Sequence, residues 1–136
     1  MTNEIQSKKA KILVADDDAQ MQLAIKTCLM RKGYDVTVVP DGQQALEKAE
    51  QEAWDVIISD QRMPELGGQE LLAALKEKNS QVPFVMITAH GTISQAVEAM
   101  QLGAADFITK PVASEDLERV IERVLKLDGE TTEVRS

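Results

Sequence analysis

Five short apolar stretches recur along the chain: KILVA at 11–15, DVTVV at 35–39, DVIIS at 55–59, PFVMIT at 83–88 and ADFIT at 105–109. They are rich in Val and Ile, and their apolar residues run nearly without interruption rather than alternating with polar ones. That pattern suits strands covered on both faces, as in a parallel sheet. Between the strands the period changes to that of helices. In 18–32, Met21, Ala24, Ile25, Cys28 and Leu29 share one face, and Gly33 stops the run. A second helix opens at Asp41, with Gln44 at capping-box spacing and Ala45, Leu46, Ala49 and Ala53 as its apolar face. A third holds Leu71, Leu72 and Leu75. A fourth starts at Thr92, paired with Gln95, and is expected to turn Ile93, Ala96, Val97 and Met100 inward before Gly103 ends it. A fifth opens near Ser114, with Glu115 and Asp116 favourably placed for the helix dipole, and buries Leu117, Val120, Ile121 and Val124.

The order is therefore βαβαβαβαβα. It implies an α/β fold, a doubly wound five-stranded parallel sheet of the flavodoxin-like kind, with right-handed crossovers and helices on both faces. One such domain fits a chain of 136 residues. Residues 11–127 are expected to form it. Residues 1–10 read as an N-terminal extension, and 128–136, without an apolar pattern, as a tail or the start of a linker.

In sheets of this kind ligands sit beyond the carboxyl ends of the strands, where the strand order switches. After the first strand come Asp16, Asp17 and Asp18. The third ends at Asp60, the fourth at Thr88, and the fifth leads to Lys110 and Pro111. Each has an ordinary explanation. Asp18 or Asp17 caps the first helix, Asp60 suits a turn, Thr88 suits a cap, and Lys110 suits a solvated loop. Their gathering at one sheet edge is what such explanations leave over. Clustered carboxylates suit a hard divalent cation, and Mg2+ prefers oxygen ligands and water.

The stretches ILVADDD, IISDQRMPELGG, VMITAHG and DFITKP, in this order and spacing, resemble the response-regulator receiver domains of two-component signalling. The resemblance covers roughly residues 11–127. The run ITAHGTISQAVEAMQLGAADFITKP is most similar to receivers of enhancer-binding, NtrC-like ATPase regulators. The resemblance implies that Asp60 accepts a phosphoryl group from a sensor histidine kinase. It implies that Asp17, Asp60 and the main-chain carbonyl of Arg62 hold Mg2+, with Mn2+ as a possible substitute, while Asp16 acts on the metal through water. Lys110 and Thr88 would bind the phosphoryl oxygens, Phe107 would be the aromatic switch, and a cis peptide would precede Pro111. Arg62 and His90 fall where the family tunes the dephosphorylation rate. The expected output is control of an attached domain or partner, in transcription regulation, with a homodimer through the fourth helix, fifth strand and fifth helix. No organic cofactor is implied, and the domain is a phosphoacceptor rather than an enzyme.

The residue types suit that chemistry in their own right. Phosphoryl transfer needs an in-line nucleophile and cancellation of charge on the equatorial oxygens, and a carboxylate can serve as the nucleophile. Two other readings compete. A haloacid-dehalogenase-like phosphohydrolase also carries its nucleophile after a parallel strand, but it expects Thr or Val where Gln20 stands, and it usually has a cap domain. A pseudo-receiver would have lost the acceptor or the lysine, and both Asp60 and Lys110 are present.

Charge and composition bound the rest. A net charge of −8 with no basic stripe opposes direct nucleic-acid binding by this chain. No apolar run is long enough to span a bilayer, and no signal peptide is evident, so a cytoplasmic protein is expected. Cys28, the one cysteine, reads as a small buried hydrophobe, and Trp54 as a packing residue. Gly67 and Gly68 are expected to relieve backbone strain in the loop after Asp60.

Overall fold

The computed structural model describes residues 9–89 and 93–134. Thr92, the expected cap of the fourth helix, and His90 lie outside these residues. The chain alternates β1 (Lys11–Ala15), α1 (Ala19–Arg31), β2 (Asp35–Val39), α2 (Gly42–Gln51), β3 (Val56–Asp60), α3 (Gly68–Glu77), β4 (Phe84–Thr88), α4 (Ile93–Gln101), β5 (Asp106–Thr109) and α5 (Ser114–Val134). All strands pair in parallel, in the order β2-β1-β3-β4-β5. The first two strands occupy the expected residues, and the other three begin one residue later than expected.

Both sheet faces are buried, which is why the strands do not alternate in polarity. Ile12, Val14, Ile58, Val85 and Ile87 pack with Ile25, Leu29, Leu117 and Ile121 of α1 and α5. Leu13, Ile57, Phe84 and Met86 pack on the other face with Ala45 of α2 and with Leu71, Leu72 and Leu75 of α3. Cys28 belongs to the first of these cores, and burial pushes its thiol pKa up.

Helix ends follow local chemistry. Asp18 is the N-cap of α1, its Oδ1 accepting from the Gln20 N–H at 2.9 Å. Asp41 caps α2 by accepting from the Gln44 N–H at 2.8 Å. The Gln44 amide donates to the Asp41 carboxylate rather than receiving the Asp41 N–H, so only half of a capping box forms. Gly33 and Gly103, at φ 94° and 109°, close α1 and α4 in the left-handed conformation glycine tolerates.

Four expectations need correction. In α4, Ala96 and Ala99 face the sheet, whereas Ile93, Val97 and Met100 are 75%, 48% and 41% exposed. The i, i+3, i+4, i+7 spacing identified an apolar stripe but not its partner. The sheet accepts small side chains there, and the larger ones face solvent. Secondly, the stretch expected to be a tail or the start of a linker from 128 is helical as far as Val134, with no proline to break α5. Thirdly, Gly67 and Gly68 do not relieve strain. The positive φ in that loop belongs to Glu65, at 68°. Gly68 is needed for closeness, since a Cβ there would lie 2.5 Å from the Asp60 carbonyl oxygen and 2.7 Å from the Met86 sulfur. Ala53 is also exposed, past the end of α2.

Candidate phosphoacceptor and cation site

The chain runs from β1 outward to β2 and then returns to β3 on the other side of β1, so the order switches between β1 and β3. The loops after these two strands therefore diverge and leave a crevice at their carboxyl ends. Asp16, Asp17 and Asp18 follow β1, and Asp60 is the last residue of β3. Carboxylate oxygens of Asp16, Asp17 and Asp60 lie within 4.8 Å of one another.

The acids differ in setting. Asp16 is fully buried, Asp60 is 5% exposed and Asp17 is exposed. Asp16 Oδ1 accepts the Asp18 N–H at 2.9 Å, whereas the buried Oδ2 has no hydrogen-bond partner among the described residues. Burial, helped by the negative charges of Asp60 and Asp17, raises the Asp16 pKa to about 6, against the lowering effects of the Asp18 N–H and Lys110. A buried carboxylate oxygen without a partner is costly unless something positive meets it.

Lys110 follows β5, and its Nζ donates to Asp60 Oδ2 at 3.2 Å. The Lys110–Pro111 peptide is cis, as expected. Lys110 N–H also donates to the Thr88 carbonyl at 2.8 Å, which ties the ends of β4 and β5 together. Thr88 is fully buried, one residue beyond the strand partner of Asp60, and its Oγ1 has no hydrogen-bond partner among the described residues. Phe107 lies on β5, an edge strand of the sheet, and is 37% exposed. The Arg62 side chain is exposed on the loop after β3, and His90 lies outside the described residues.

The arrangement joins a nearly buried carboxylate to an ammonium group, beside an unpartnered hydroxyl and two further acids. It suits a divalent cation that takes oxygen ligands and an anion with several acceptor oxygens. One participant was missed from the sequence. Gln22 of α1 donates from Nε2 to the Asp16 carbonyl at 2.5 Å. Nothing in a helical glutamine beside Met21 announces such a bond.

Residues 12–122 match the response regulator receiver domain family. The chain is 39% identical over 118 residues to the transcriptional regulatory protein FixJ of Bradyrhizobium diazoefficiens, covering 87% of this chain and 58% of that protein. It is 34% identical to the transcriptional regulatory protein ZraR of Escherichia coli, covering 90% of this chain and 29% of that one. Among solved structures, the Francisella response regulator 1452 receiver domain superposes with a TM-score of 0.83 at 34% identity, over 87% of this chain and 98% of that one. NtrX of Brucella abortus gives 0.87 at 32%, over 94% of this chain and 30% of that one. The chain thus spans 58% or less of the length of these two curated relatives.

Proposed function

Because the chain belongs to the response regulator receiver family, a family of phosphorylation-dependent signalling domains, we propose that Asp60 is its phosphoacceptor and that the surrounding residues assist only that group's gain and loss. The observation that carries this reading is the Lys110 Nζ contact to Asp60 Oδ2, 3.2 Å long, inside a cluster of three acids.

The donor is a phosphohistidine on a sensor kinase. An Asp60 carboxylate oxygen attacks phosphorus in line, the P–N bond to the donor imidazole breaks as the O–P bond forms, and the departing imidazole takes up a proton. Lys110 pairs with one equatorial oxygen and the Thr88 hydroxyl donates to another. Asp17, Asp60 and the Arg62 carbonyl would hold Mg2+, with Asp16 acting through water; the residues fit, because Asp16 Oδ2 is buried without a partner among the described residues and the cluster is all oxygen. When bound, Mg2+ supplies charge cancellation on the carboxylates and on the phosphoryl oxygens.

The switch follows from the same groups. A phosphoryl oxygen draws the Thr88 hydroxyl toward it, and Phe107 turns inward into the vacated space. A ligand shifts such an equilibrium only by its differential affinity for the two states, and Thr88 and Lys110 supply it. The output surface is α4, β5 and α5, where Ile93, Val97, Met100 and Phe107 are exposed, and its partner is a second copy of the domain. The receiver unit is residues 11–127, it works in the cytoplasm, and it regulates transcription through an attached or partner domain; among the described residues no helix is long and apolar enough to cross a membrane.

Intact-mass measurement after incubation with Mg2+ and acetyl phosphate tests the assignment. The parent gains one phosphoryl mass and Asp60→Asn gains none. An undiminished gain in the variant would remove Asp60 from its role.

A further inference from the structure

The loop that carries the three consecutive acids must hold like charges together before any cation arrives. Four of its hydrogen bonds come from backbone donors. The Asp16 N–H donates to the Val39 carbonyl at 3.1 Å and the Asp18 N–H to Asp16 Oδ1 at 2.9 Å. The Gln20 N–H donates to Asp18 Oδ1 and the Gln22 N–H to the Asp18 carbonyl, both at 2.9 Å. The fifth depends on one side chain: Gln22 Nε2 donates to the Asp16 carbonyl at 2.5 Å.

That carbonyl belongs to the peptide unit joining Asp16 to Asp17. The unit is planar, so fixing its oxygen fixes the direction in which the chain leaves toward Asp17. Asp16 and Asp17 bring carboxylate oxygens within 4.8 Å of each other and of Asp60, an arrangement their mutual repulsion opposes. Gln22 itself stands on α1, which Ile25, Cys28 and Leu29 anchor in the core. The clamp therefore ties the acidic loop to a rigid element, the condition for holding a site to within a fraction of an ångström.

We infer that Gln22 is a positioning residue for the cation site: its amide holds the Asp16–Asp17 peptide in the one orientation that directs both carboxylates at a common point. The inference rests on the proposed role of that cluster in holding Mg2+. Mg2+ demands near-octahedral geometry at short distances, so a small turn of this peptide is felt directly in affinity. Groups that orient metal ligands from behind commonly set affinity by about 10–100-fold.

The test is calorimetric titration of Mg2+ into the full chain near neutral pH, for the parent, Gln22→Met, Gln22→Glu and Asp17→Asn. Both substitutions at 22 keep good helix formers, and thermal midpoints in EDTA report folding separately. Gln22→Met keeps the length and loses the donor, and is expected to bind Mg2+ about tenfold more weakly. Its labelling rate by acetyl phosphate stays near the parent's at saturating Mg2+, while the half-saturating concentration rises. Gln22→Glu sets an acceptor against the carbonyl and releases it, so it binds more weakly than Gln22→Met despite its added negative charge. Tighter binding by Gln22→Glu, as charge attraction alone would give, overturns the clamp. So does unchanged affinity in Gln22→Met, or an equal fall of its rate at saturating Mg2+. Should Asp17→Asn bind as the parent does, the cation-site reading itself fails, an outcome separate from the clamp.

Discussion

The two edges of the sheet are built on opposite terms. At the amino edge polar groups are matched. Asp55 Oδ2 accepts the Lys11 N–H at 2.7 Å, Lys11 Nζ reaches Glu52 at 2.5 Å and lies 4.7 Å from the Trp54 ring centroid, and Trp54 Nε1 donates to the Lys48 carbonyl at 3.0 Å. A groove of ≈ 360 Å³ lies there, between Trp54 and Pro83. At the carboxyl edge the polar groups are buried and incomplete: Asp16 Oδ2 and Thr88 Oγ1 have no hydrogen-bond partner among the described residues. The comparison teaches that unmet hydrogen-bonding capacity marks the chemistry here, because a native fold leaves few buried polar groups unpaired and a ligand is one thing that completes them.

The contrast breaks most visibly if one acid at the carboxyl edge proves as dispensable as another. Asp17→Asn is expected to weaken Mg2+ at least about 100-fold, since losing a direct ligand exceeds the usual cost of losing an outer one. Asp18→Asn leaves affinity nearly unchanged, because Asp18 caps α1 and Asn caps as well. Calorimetry compares the two, and equal losses would contradict the division.

The next effect concerns pH in the chelated protein. The folded pKa of Asp16, about 6, lies above its ordinary value of 3.8. Its stabilising contribution is therefore complete below about 4 and lost as pH rises through about 6. Asp16→Asn should remove that slope from urea unfolding in EDTA and stabilise the protein at neutral pH by about 1–3 kcal/mol. An unchanged slope would mean that the carboxylate is solvated.

At the amino edge, Trp54→Phe should cost about 1 kcal/mol for its hydrogen bond, with Mg2+ affinity and acetyl phosphate labelling as in the parent. A loss of either would join the two edges that the contrast separates. The smallest change in stability is expected at Thr88→Val, within about 0.5 kcal/mol, because the lost hydroxyl has no partner among the described residues to strand. Its signature is functional. Sedimentation with beryllofluoride should show the parent associating and the variant not, while Asp60 still takes a phosphoryl group. Equal association by the variant would remove Thr88 from the route.

Much of this was legible in the sequence, for identifiable reasons. Strands buried on both faces leave uninterrupted Val and Ile runs, so their places were plain. The candidate site was legible because four strand ends each contributed a residue whose ordinary explanation failed only in company. The cap at Asp18 was left between two candidates, since adjacent aspartates are equivalent until the helix phase is known. In α4 a spacing rule counts apolar residues without weighing them, and the sheet chose Ala96 and Ala99 over Ile93, Val97 and Met100. Gln22 was invisible, because its partner is a main-chain oxygen and main-chain oxygens have no sequence signature.

The outward side chains of α4 have a calorimetric consequence. Ile93, Val97, Met100 and the neighbouring Leu102 keep a shell of water in the native state, and that water adds to the heat capacity of the folded domain. Any partner that covers them must release it, so the association carries a negative heat-capacity change. Its enthalpy then grows more favourable with each degree of warming, a temperature signature that pairing through surface charges alone would lack.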